Sequence, residues 1–579
     1  MTAAGAAHHG TMASGTIWCR VLVLASLSVA ALISPLIRSA QAQSNDFRTP
    51  SLSVVKPDWP AAAIQLKAEI DSQPAAVDNF SFMGPRPLPR QATAQRITAI
   101  SQINAVTSPI FSGVDLSPVP VLLPFDSALY LSDQRSGAVN LLIPRYQSGF
   151  NAASMFEAGP AGYDAVFMLE RGAGEGMPSR VYAQPVEVQI TASLLLYDIK
   201  DPLAGKGEPV KALATQFPNL RRVIREGHVR YAFTRFGVPY VVSIQCLDSV
   251  ARSRRLSCRE ASPVAERFIK SLRVAGGTPR EPRYNITSYD SERPIEYDRS
   301  FTYRPPGEII ANSGYRGQGG YQDLTVYSQI RFPIEKAPAF ANSQSFMNWG
   351  DCNLTGRVSF APTKGDSYRC KRNDKPLVFD ESAKDNYSYP WQDNFCETRD
   401  FEVGQCANGM GHQGQDIRPS SCHLRNDGAD RCIPDLFATV AVRDGVLVRT
   451  PKQQAAFLLV NSRNEHIRFR YMHMNPARMD AEGVVHGRRV TEGERIGLVS
   501  NFQDRPGGTT SHLHFDIQVF TRDGWLWVNP YVTLISSYER LIGGRGREFI
   551  QPPPEAPAMA HAQPPADLPS DVVKEGQGH

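Results

Sequence analysis

Three histidine-bearing segments near the C-terminal end of this chain have residue types and spacings that suit metal chemistry. They read H-Q-G-Q-D from His412 to Asp416, Y-M-H ending at His473, and H-L-H-F-D beginning at His512. Imidazole and carboxylate groups are common ligands of zinc. Because alternate residues of a strand point to the same face, His512 and His514 would converge on one cleft. His412 and Asp416 would also share a face in an extended segment.

Each segment also has an ordinary structural interpretation when it is taken alone. An H-x-H pair arises readily by chance in a chain with 12 histidines. His412 and Asp416 could be a surface histidine and a turn residue, although Gly414 between them would permit close approach of another chain or of a ligand. His473 shares a strand face with large apolar residues, so it could be a core histidine. The presence of all three segments in one β-rich region favours a shared site.

Together the three segments resemble the H-x-G-x-D, Y-x-H and H-L-H-F motifs of the lysostaphin/LytM-type zinc endopeptidases. The resemblance covers about residues 396–535, and it includes flanking strand and turn patterns at residues 436–448 and 490–498. It implies a mainly β peptidase domain with an antiparallel β-sheet cleft, similar to the duplicated hybrid motif.

The resemblance also implies roles for the motif residues. His412, Asp416 and His514 would bind one Zn²⁺ per chain, and His473 and His512 would be catalytic histidines without a metal bond. Bound zinc lowers the pKa of a water molecule to about 7 and so supplies a nucleophile at neutral pH. The chain has no H-E-x-x-H motif, whose glutamate is the base of many metalloproteases. His473 and His512 are therefore the candidate proton carriers, and the sequence leaves open which acts as the base.

Two features depart from the family pattern. Asp516 stands where a glutamate usually follows H-L-H-F, and residues 501–510 replace a shorter Gly- and Ser-rich approach to that strand. We expect both to affect substrate fit rather than zinc binding. His423, His466 and His486 lie outside the motifs, and we predict that they are surface residues.

A chain of 579 residues is longer than one hydrophobic core usually organises, so several folded units are expected. Composition and hydrophobic periodicity divide the chain into six parts. They are a signal peptide at 1–42, a Pro- and Ala-rich linker at 43–118, an α+β accessory domain at 119–277, an extended connecting region at 278–385, the zinc peptidase domain at 386–545, and a disordered Pro-rich tail at 546–579.

Strand patterns identify the region that must position the motifs. Closely spaced strands are predicted at residues 437–442, 446–449, 456–461, 467–474, 495–499 and 512–520. In the accessory domain, residues 238–244 predict a buried strand and residues 262–274 predict a helix. One helix is also predicted inside the linker, at residues 61–70.

The N-terminus has the pattern of a secretory signal peptide. Arg20 precedes an apolar run at residues 21–37, and the small-x-small sequence A-Q-A ends at Ala42. An uncleaved membrane anchor is the alternative, but the run contains serines and a proline and is shorter than a span of ~20 apolar residues. We therefore expect export to the periplasm or cell envelope, with no stable transmembrane span after cleavage.

Cleavage would leave eight of the nine cysteines, an even number that suits disulfides in an oxidising compartment. The closely spaced cysteine pairs of a structural zinc site are absent. The simplest pairing joins sequence neighbours: Cys246 with Cys258, Cys352 with Cys370, Cys396 with Cys406, and Cys422 with Cys432.

The expected function is hydrolysis of peptide bonds in the cross-bridges or stem peptides of cell-wall peptidoglycan. The net charge is only +5, and the basic runs are too short to form the basic stripe that nucleic-acid binding needs. The sequence therefore does not predict nucleic-acid binding. One alternative is a non-catalytic LytM-like regulator that activates a cell-wall amidase. Another is a peptidoglycan-binding envelope protein that acts through residues 119–277, a region that could also bind an envelope protein partner. The complete set of five motif residues favours the enzyme.

Overall fold

The computed structural model describes residues 49–72, 77–78, 86–87, 99–136, 149–169, 185–201, 204–225, 227–246, 256–279, 325–336, 339–341, 371–372, 375–376, 393–396, 401–406, 409–419 and 433–541. The predicted signal peptide and Pro-rich tail lie outside the described residues, as do Cys352, Cys370, Cys422, Cys432 and His423. The described residues form mostly antiparallel β-sheets with few helices, in agreement with the predicted fold class.

The helices in this part of the chain are α1 (Trp59–Asp71), α2 (Ala99–Thr107), α3 (Ser127–Ser136), α4 (Cys258–Lys270), α5 (Pro476–Ala481) and α6 (Tyr531–Leu541). The Asp58 carboxylate accepts the Ala61 N–H at the start of α1. Ser257 and Glu260 form a capping box at the start of α4, so this helix begins earlier than the sequence predicted. None of the described helices is long and apolar enough to cross a membrane.

Strands β1 to β13 lie in the N-terminal half: Leu52–Val54, Val77–Asp78, Arg86–Pro87, Val121–Leu123, Phe150–Gly159, Gly162–Leu169, Glu187–Ser193, Leu195–Tyr197, Glu208–Pro209, Arg221–Arg225, His228–Arg235, Val238–Gln245 and Arg273–Gly276. Strands β14 to β25 lie in the C-terminal half: Ala339–Ala341, Lys371–Arg372, Lys375–Pro376, Gln415–Pro419, Ala438–Val440, Gly445–Val448, Ala456–Asn461, His466–Met472, Arg489–Val490, Arg495–Leu498, Leu513–Thr521 and Gly524–Val528. All described pairings between these strands are antiparallel.

The main N-terminal sheet has seven strands in the order β5-β6-β7-β12-β11-β10-β9. Helix α4 lies against β11 and β12 and buries Val264, Phe268 and Ile269 in the N-terminal core. Cys246, which follows β12, is bonded to Cys258 at the start of α4, and this confirms the predicted pairing. The disulfide therefore fastens the helix to the centre of the sheet.

Three elements of residues 43–118 belong to the N-terminal core, so the linker interpretation is wrong for them. Strand β1 pairs with β8, and Leu66 of α1 and Ile103 of α2 are fully buried in that core. The helix predicted at residues 61–70 is present as α1. The Pro- and Ala-rich composition concealed β1 and α2, because a few well-spaced apolar side chains are enough to anchor a short element.

The C-terminal sheet has eight strands, of which seven follow the order β14-β17-β24-β21-β20-β19-β22 and the eighth, β25, also pairs with β24. Ile467, Phe469 and Tyr471 of β21 point into a fully buried core, whereas Arg468 and Arg470 point to the opposite face. Each of the six strand regions predicted between residues 437 and 520 contains an observed strand, namely β18, β19, β20, β21, β23 and β24.

Part of the predicted connecting region completes the core of the C-terminal sheet. Residues 325–336 place Tyr327, Phe332 and Ile334 in the buried cluster that β21 and β24 also form. Strand β14 pairs with β17 at one edge of the sheet. The C-terminal core therefore depends on residues that precede position 386.

The polar face of β21 lies against the N-terminal sheet rather than against water. Asp164 of β6 accepts hydrogen bonds from His466 Nε2 at 2.7 Å and from Arg468 at 2.9 Å. The Arg468 guanidinium carbon lies 4.0 Å from the ring centroid of Trp525 on β25. His466 is fully buried, so the prediction that it is a surface residue is wrong. Strand alternation cannot reveal what covers a strand face.

Candidate metal centre

Three neighbouring antiparallel strands bring the three histidine-bearing segments together. Strands β17 and β24 are paired so that Asp416 lies opposite His514. Strands β24 and β21 are paired so that His514 lies opposite Met472, the residue before His473. His512 immediately precedes β24 and shares a face with His514, as the alternation of the H-L-H motif predicts. The register of the sheet thus gathers the motif residues at one end of β24.

Gly414 shows why the first motif contains a glycine. A Cβ atom at this position would lie 2.5 Å from the Phe515 carbonyl oxygen and 2.8 Å from His514 Nε2. Any side chain would therefore displace β24 or the His514 ring. The sequence predicted that another chain segment or a ligand approaches Gly414 closely, and the structure shows that this segment is β24.

His412, Asp416 and His514 form a buried group whose donor atoms could hold a metal ion. His514 Nδ1 lies 3.0 Å from His412 Nε2 and 3.1 Å from Asp416 Oδ1, and His412 Nε2 lies 3.3 Å from Asp416 Oδ1. Tetrahedral zinc with bonds of 2.0–2.1 Å would separate its ligand atoms by about 3.3 Å. Both the donor types and their separations therefore fit zinc, and three protein ligands leave a fourth position open.

The second nitrogen of each histidine in this group is anchored by a hydrogen bond. His412 Nδ1 donates to the Asn394 carbonyl oxygen at 2.9 Å. His514 Nε2 lies 3.2 Å from Asp516 Oδ2, which accepts its proton. These contacts aim the other nitrogen of each ring at the common centre, which is the usual arrangement around metal-binding histidines.

The electrostatics of the group favour an ionised Asp416. Burial on its own would raise the pKa of this carboxyl group, but the electrostatic interactions and hydrogen bonds that the surrounding histidines offer its ionised form outweigh burial and hold the pKa well below its ordinary range. Burial likewise opposes protonation of His514, yet hydrogen bonds to Asp416 and Asp516 raise its pKa. Because ligands must lose their protons to bind a metal, a cation and a proton compete for this group.

His473 and His512 lie beside the three-residue group with their ring centroids 4.6 Å apart. His473 Nδ1 donates to the Phe502 carbonyl oxygen at 3.0 Å, and His512 Nδ1 donates to the Thr510 carbonyl oxygen at 2.6 Å. Since each Nδ1 carries the proton, each Nε2 of the neutral ring carries a lone pair. His512 Nε2 is 3.5 Å from Asp416 Oδ1. Both rings therefore have the tautomer of a base.

Burial keeps both of these imidazoles neutral. It lowers the pKa of His473 to about 4 and, despite the opposing charge of Asp416, holds the pKa of His512 well below its ordinary value. At neutral pH each ring can accept a second proton at Nε2, and neither ring is in its charged, doubly protonated form. The structure thus brings together all five residues that the sequence singled out, three as potential metal ligands and two as neutral imidazoles.

Sequence reasoning assigned Asp516 to substrate fit, and the structure contradicts that interpretation. The Asp516 side chain is fully buried, and its carboxylate contacts His514 from the side away from the metal-facing nitrogen. The signal that could have identified this contact is its spacing. A charged residue two positions after a candidate ligand lies on the same strand face and is its neighbour.

Arg418, two positions after Asp416, is a second functional candidate that the sequence analysis missed. It is fully buried and donates to the Ser511 carbonyl oxygen at 2.6 Å and to Thr510 Oγ1 at 2.9 Å. These bonds hold the short segment that precedes His512. Arg418 therefore supports the same backbone whose carbonyl group orients the His512 ring.

The disulfide Cys396–Cys406 confirms a second predicted pairing and stabilises the segment that leads to His412. The Cys396 N–H donates to the His412 carbonyl oxygen at 2.8 Å. Both cysteines are buried in a small cluster with Phe395 and Trp527. The first motif is thus fixed on one side by β24 and on the other by this covalent loop.

No family model matches this chain, and no curated protein matches it. A solved structure with some similarity is a proposed glycyl-glycine endopeptidase LytM from Ruminococcus gnavus, with 20% sequence identity, coverage of 24% of this chain and 49% of that chain, and a TM-score of 0.17. Another is a chain of the SpoIIQ–SpoIIIAH pore-forming complex, with 16% identity, coverage of 20% and 63%, and a TM-score of 0.14. This chain thus spans about half the length of the first protein and less than two thirds of the second.

Proposed function

We propose that this protein is a zinc-dependent endopeptidase that hydrolyses peptide bonds in the cross-bridges or stem peptides of cell-wall peptidoglycan. The observation that carries the proposal is the convergence of His412, Asp416, His473, His512 and His514 in one buried cluster. Three of these residues offer donor atoms at separations that suit zinc, and the other two are neutral imidazoles with free lone pairs. Such a combination suits hydrolysis better than a structural metal site, whose ligands close the coordination shell.

His412, Asp416 and His514 would hold the metal. When bound, zinc would polarise the scissile carbonyl group and activate a water molecule for attack. Because His473 and His512 are neutral at physiological pH, one of them would take the proton of the attacking water. The protonated ring would then donate a hydrogen bond from Nε2 to the oxyanion of the tetrahedral intermediate and pass the same proton to the leaving amine. Their Nδ1 bonds to backbone carbonyl groups keep both rings oriented throughout.

The substrate class rests on the resemblance of the sequence motifs to the lysostaphin/LytM-type enzymes and on the predicted signal peptide. Two disulfides among the described residues are consistent with an exported protein. A peptidoglycan substrate would be met in that compartment. The rival proposals, an amidase regulator and an envelope-binding protein, differ in requiring neither zinc nor turnover.

The direct test uses the full mature chain, beginning after the predicted signal peptide. We expect about one zinc per chain by mass spectrometry and release of new muropeptides from purified peptidoglycan, identified by their masses. His412→Ala should lose both properties. His486→Gln is the matched control. His486 lies outside the cluster, and its side chain bonds Glu187 instead. A mature chain that binds no zinc, or that binds zinc without cutting any muropeptide, would contradict the proposal.

A further inference from the structure

Asp516 is the partner of His514 on the side away from the candidate metal position. Its buried carboxylate accepts three hydrogen bonds: from His514 Nε2 at 3.2 Å, from Arg470 Nε at 2.5 Å and from Trp527 Nε1 at 2.9 Å. We propose that Asp516, held by Arg470 and Trp527, is a positioning residue that fixes His514 for metal binding. This inference rests on the proposed function, because it takes zinc as the metal.

The three contacts fix the carboxylate from different directions. Oδ2 is shared by His514 and Arg470, and Oδ1 accepts the indole N–H of Trp527. Arg470 is the cross-strand partner of Asp516 in the β21–β24 register, so the ion pair is part of the sheet itself. A carboxylate held in this way cannot rotate away from His514. The ring is therefore kept with Nδ1 directed at His412 and Asp416.

Trp527 connects the supports of both histidine ligands. Its ring is buried, lies 4.8 Å from the Arg470 guanidinium carbon, and packs in one cluster with Phe395 and Cys396. The residue before Phe395 is Asn394, whose carbonyl oxygen anchors His412. The backbone anchor of one ligand and the carboxylate anchor of the other are thus joined through a single apolar cluster. This arrangement gives the metal group a preformed geometry.

The decisive measurement is zinc affinity of the full mature chain, by competition with a chromophoric chelator. Removing an outer partner of a metal-binding histidine costs about 10–100-fold in affinity, and we expect a loss in this range for Asp516→Asn. Asp516→Glu should restore part of the affinity because it keeps the charge. Visible absorption of the cobalt-substituted protein provides a second readout, because those bands report ligand geometry and would shift in Asp516→Asn.

Asp164→Asn is the matched control. Asp164 is also a buried aspartate that bonds a histidine and an arginine of β21, but its partners His466 and Arg468 lie at the boundary between the two sheets. This variant should lower the unfolding temperature and leave zinc affinity unchanged. Trp527→Phe keeps the Asp516–Arg470 ion pair, so it should weaken zinc binding less than Asp516→Asn does. This variant tests the proposal even if Asp516→Asn does not fold.

The outcomes separate the two proposals. If the wild-type chain binds no zinc, the proposed function fails first. If the wild type binds zinc and Asp516→Asn or Trp527→Phe binds it equally well, the positioning role is wrong while the enzyme proposal stands. Equal losses of affinity in Asp516→Asn and Asp164→Asn would also overturn the inference, because they would show a general effect of stability.

Discussion

At the scale of single residues, His473 and His512 have matching hydrogen bonds and a testable shared role. Neither is among the three proposed ligands, so His473→Ala and His512→Ala should each retain zinc. Each should lower the rate of muropeptide release by about 10²–10⁴-fold, the usual contribution of an acid–base group. Bound zinc and initial rates would be measured on the same preparations. Loss of zinc from either variant would mean that the residue is a ligand and not a base.

The depressed pKa of His473 also predicts how the metal-free protein responds to acid. In the unfolded chain this histidine binds a proton below pH 6.5, whereas burial keeps it neutral in the folded chain down to about pH 4. The unfolded state therefore binds more protons in this window, and the free energy of unfolding must rise with pH across it. The shift corresponds to at most about 3 kcal/mol.

Urea denaturation of the metal-free protein between these pH values would measure this effect. His473→Gln cannot titrate, so its stability should depend less steeply on pH than that of the wild type. An unchanged pH dependence in the variant would show that His473 is not the group responsible.

Sequence motifs identified the five residues of the cluster but not the groups that orient them. Ligand types and strand alternation were enough to place His512 and His514 on one face. The partner of the second nitrogen of His514 is Asp516, two positions further along the same strand, and this spacing could have been used. The partner of His512 Nδ1 is the Thr510 carbonyl group of the loop backbone, which leaves no periodic pattern in the sequence.

At the scale of elements, the tight approach of the first motif to β24 leaves no space for a side chain at Gly414. Gly414→Ala would place a methyl group 2.5 Å from the Phe515 carbonyl oxygen and 2.8 Å from His514 Nε2. We expect a loss of about 1–3 kcal/mol in stability, the usual cost of overpacking. Because the strain falls on a proposed ligand, zinc affinity should fall as well.

Gly483→Ala separates the two effects of Gly414→Ala. Gly483 has a φ of +67°, and a Cβ atom there would meet no atom within 4 Å. This change should cost about 1–2 kcal/mol through the left-handed backbone alone and should leave zinc affinity intact. Calorimetric titration of both variants with zinc would distinguish local crowding from general destabilisation. Unchanged affinity in Gly414→Ala would refute the crowding argument.

Element prediction succeeded where alternation was strong and failed where composition dominated. The strands β21 and β24 alternate clearly, and each was predicted to within a few residues. Helix α2 was missed inside a Pro- and Ala-rich stretch, although its Ile103 is fully buried. Composition averages over many residues, whereas packing depends on a few side chains in the correct places.

At the scale of the whole molecule, the main N-terminal sheet packs directly against the C-terminal sheet. Val446, Leu459, Phe520 and Trp525 belong to the same buried cluster as the N-terminal core. The ion pair of Asp164 with Arg468 crosses between the two sheets. The sequence predicted residues 386–545 as a separate domain, because the sequence does not show which strand faces are covered.

This contact predicts that a fragment of residues 386–545 will not fold as a stable unit. It would expose Phe520 and Trp525 to water, lose the ion pair between Arg468 and Asp164, and lack residues 325–336 of its own core. Exposing one large buried apolar side chain such as Phe520 costs about 1.5–3 kcal/mol. We expect the fragment to aggregate, or to unfold at a much lower urea concentration than a chain of residues 43–545. The longer chain also lacks residues 546–579, so it controls for loss of the tail. A fragment that unfolds at the same midpoint as the longer chain would show that the two sheets are independent.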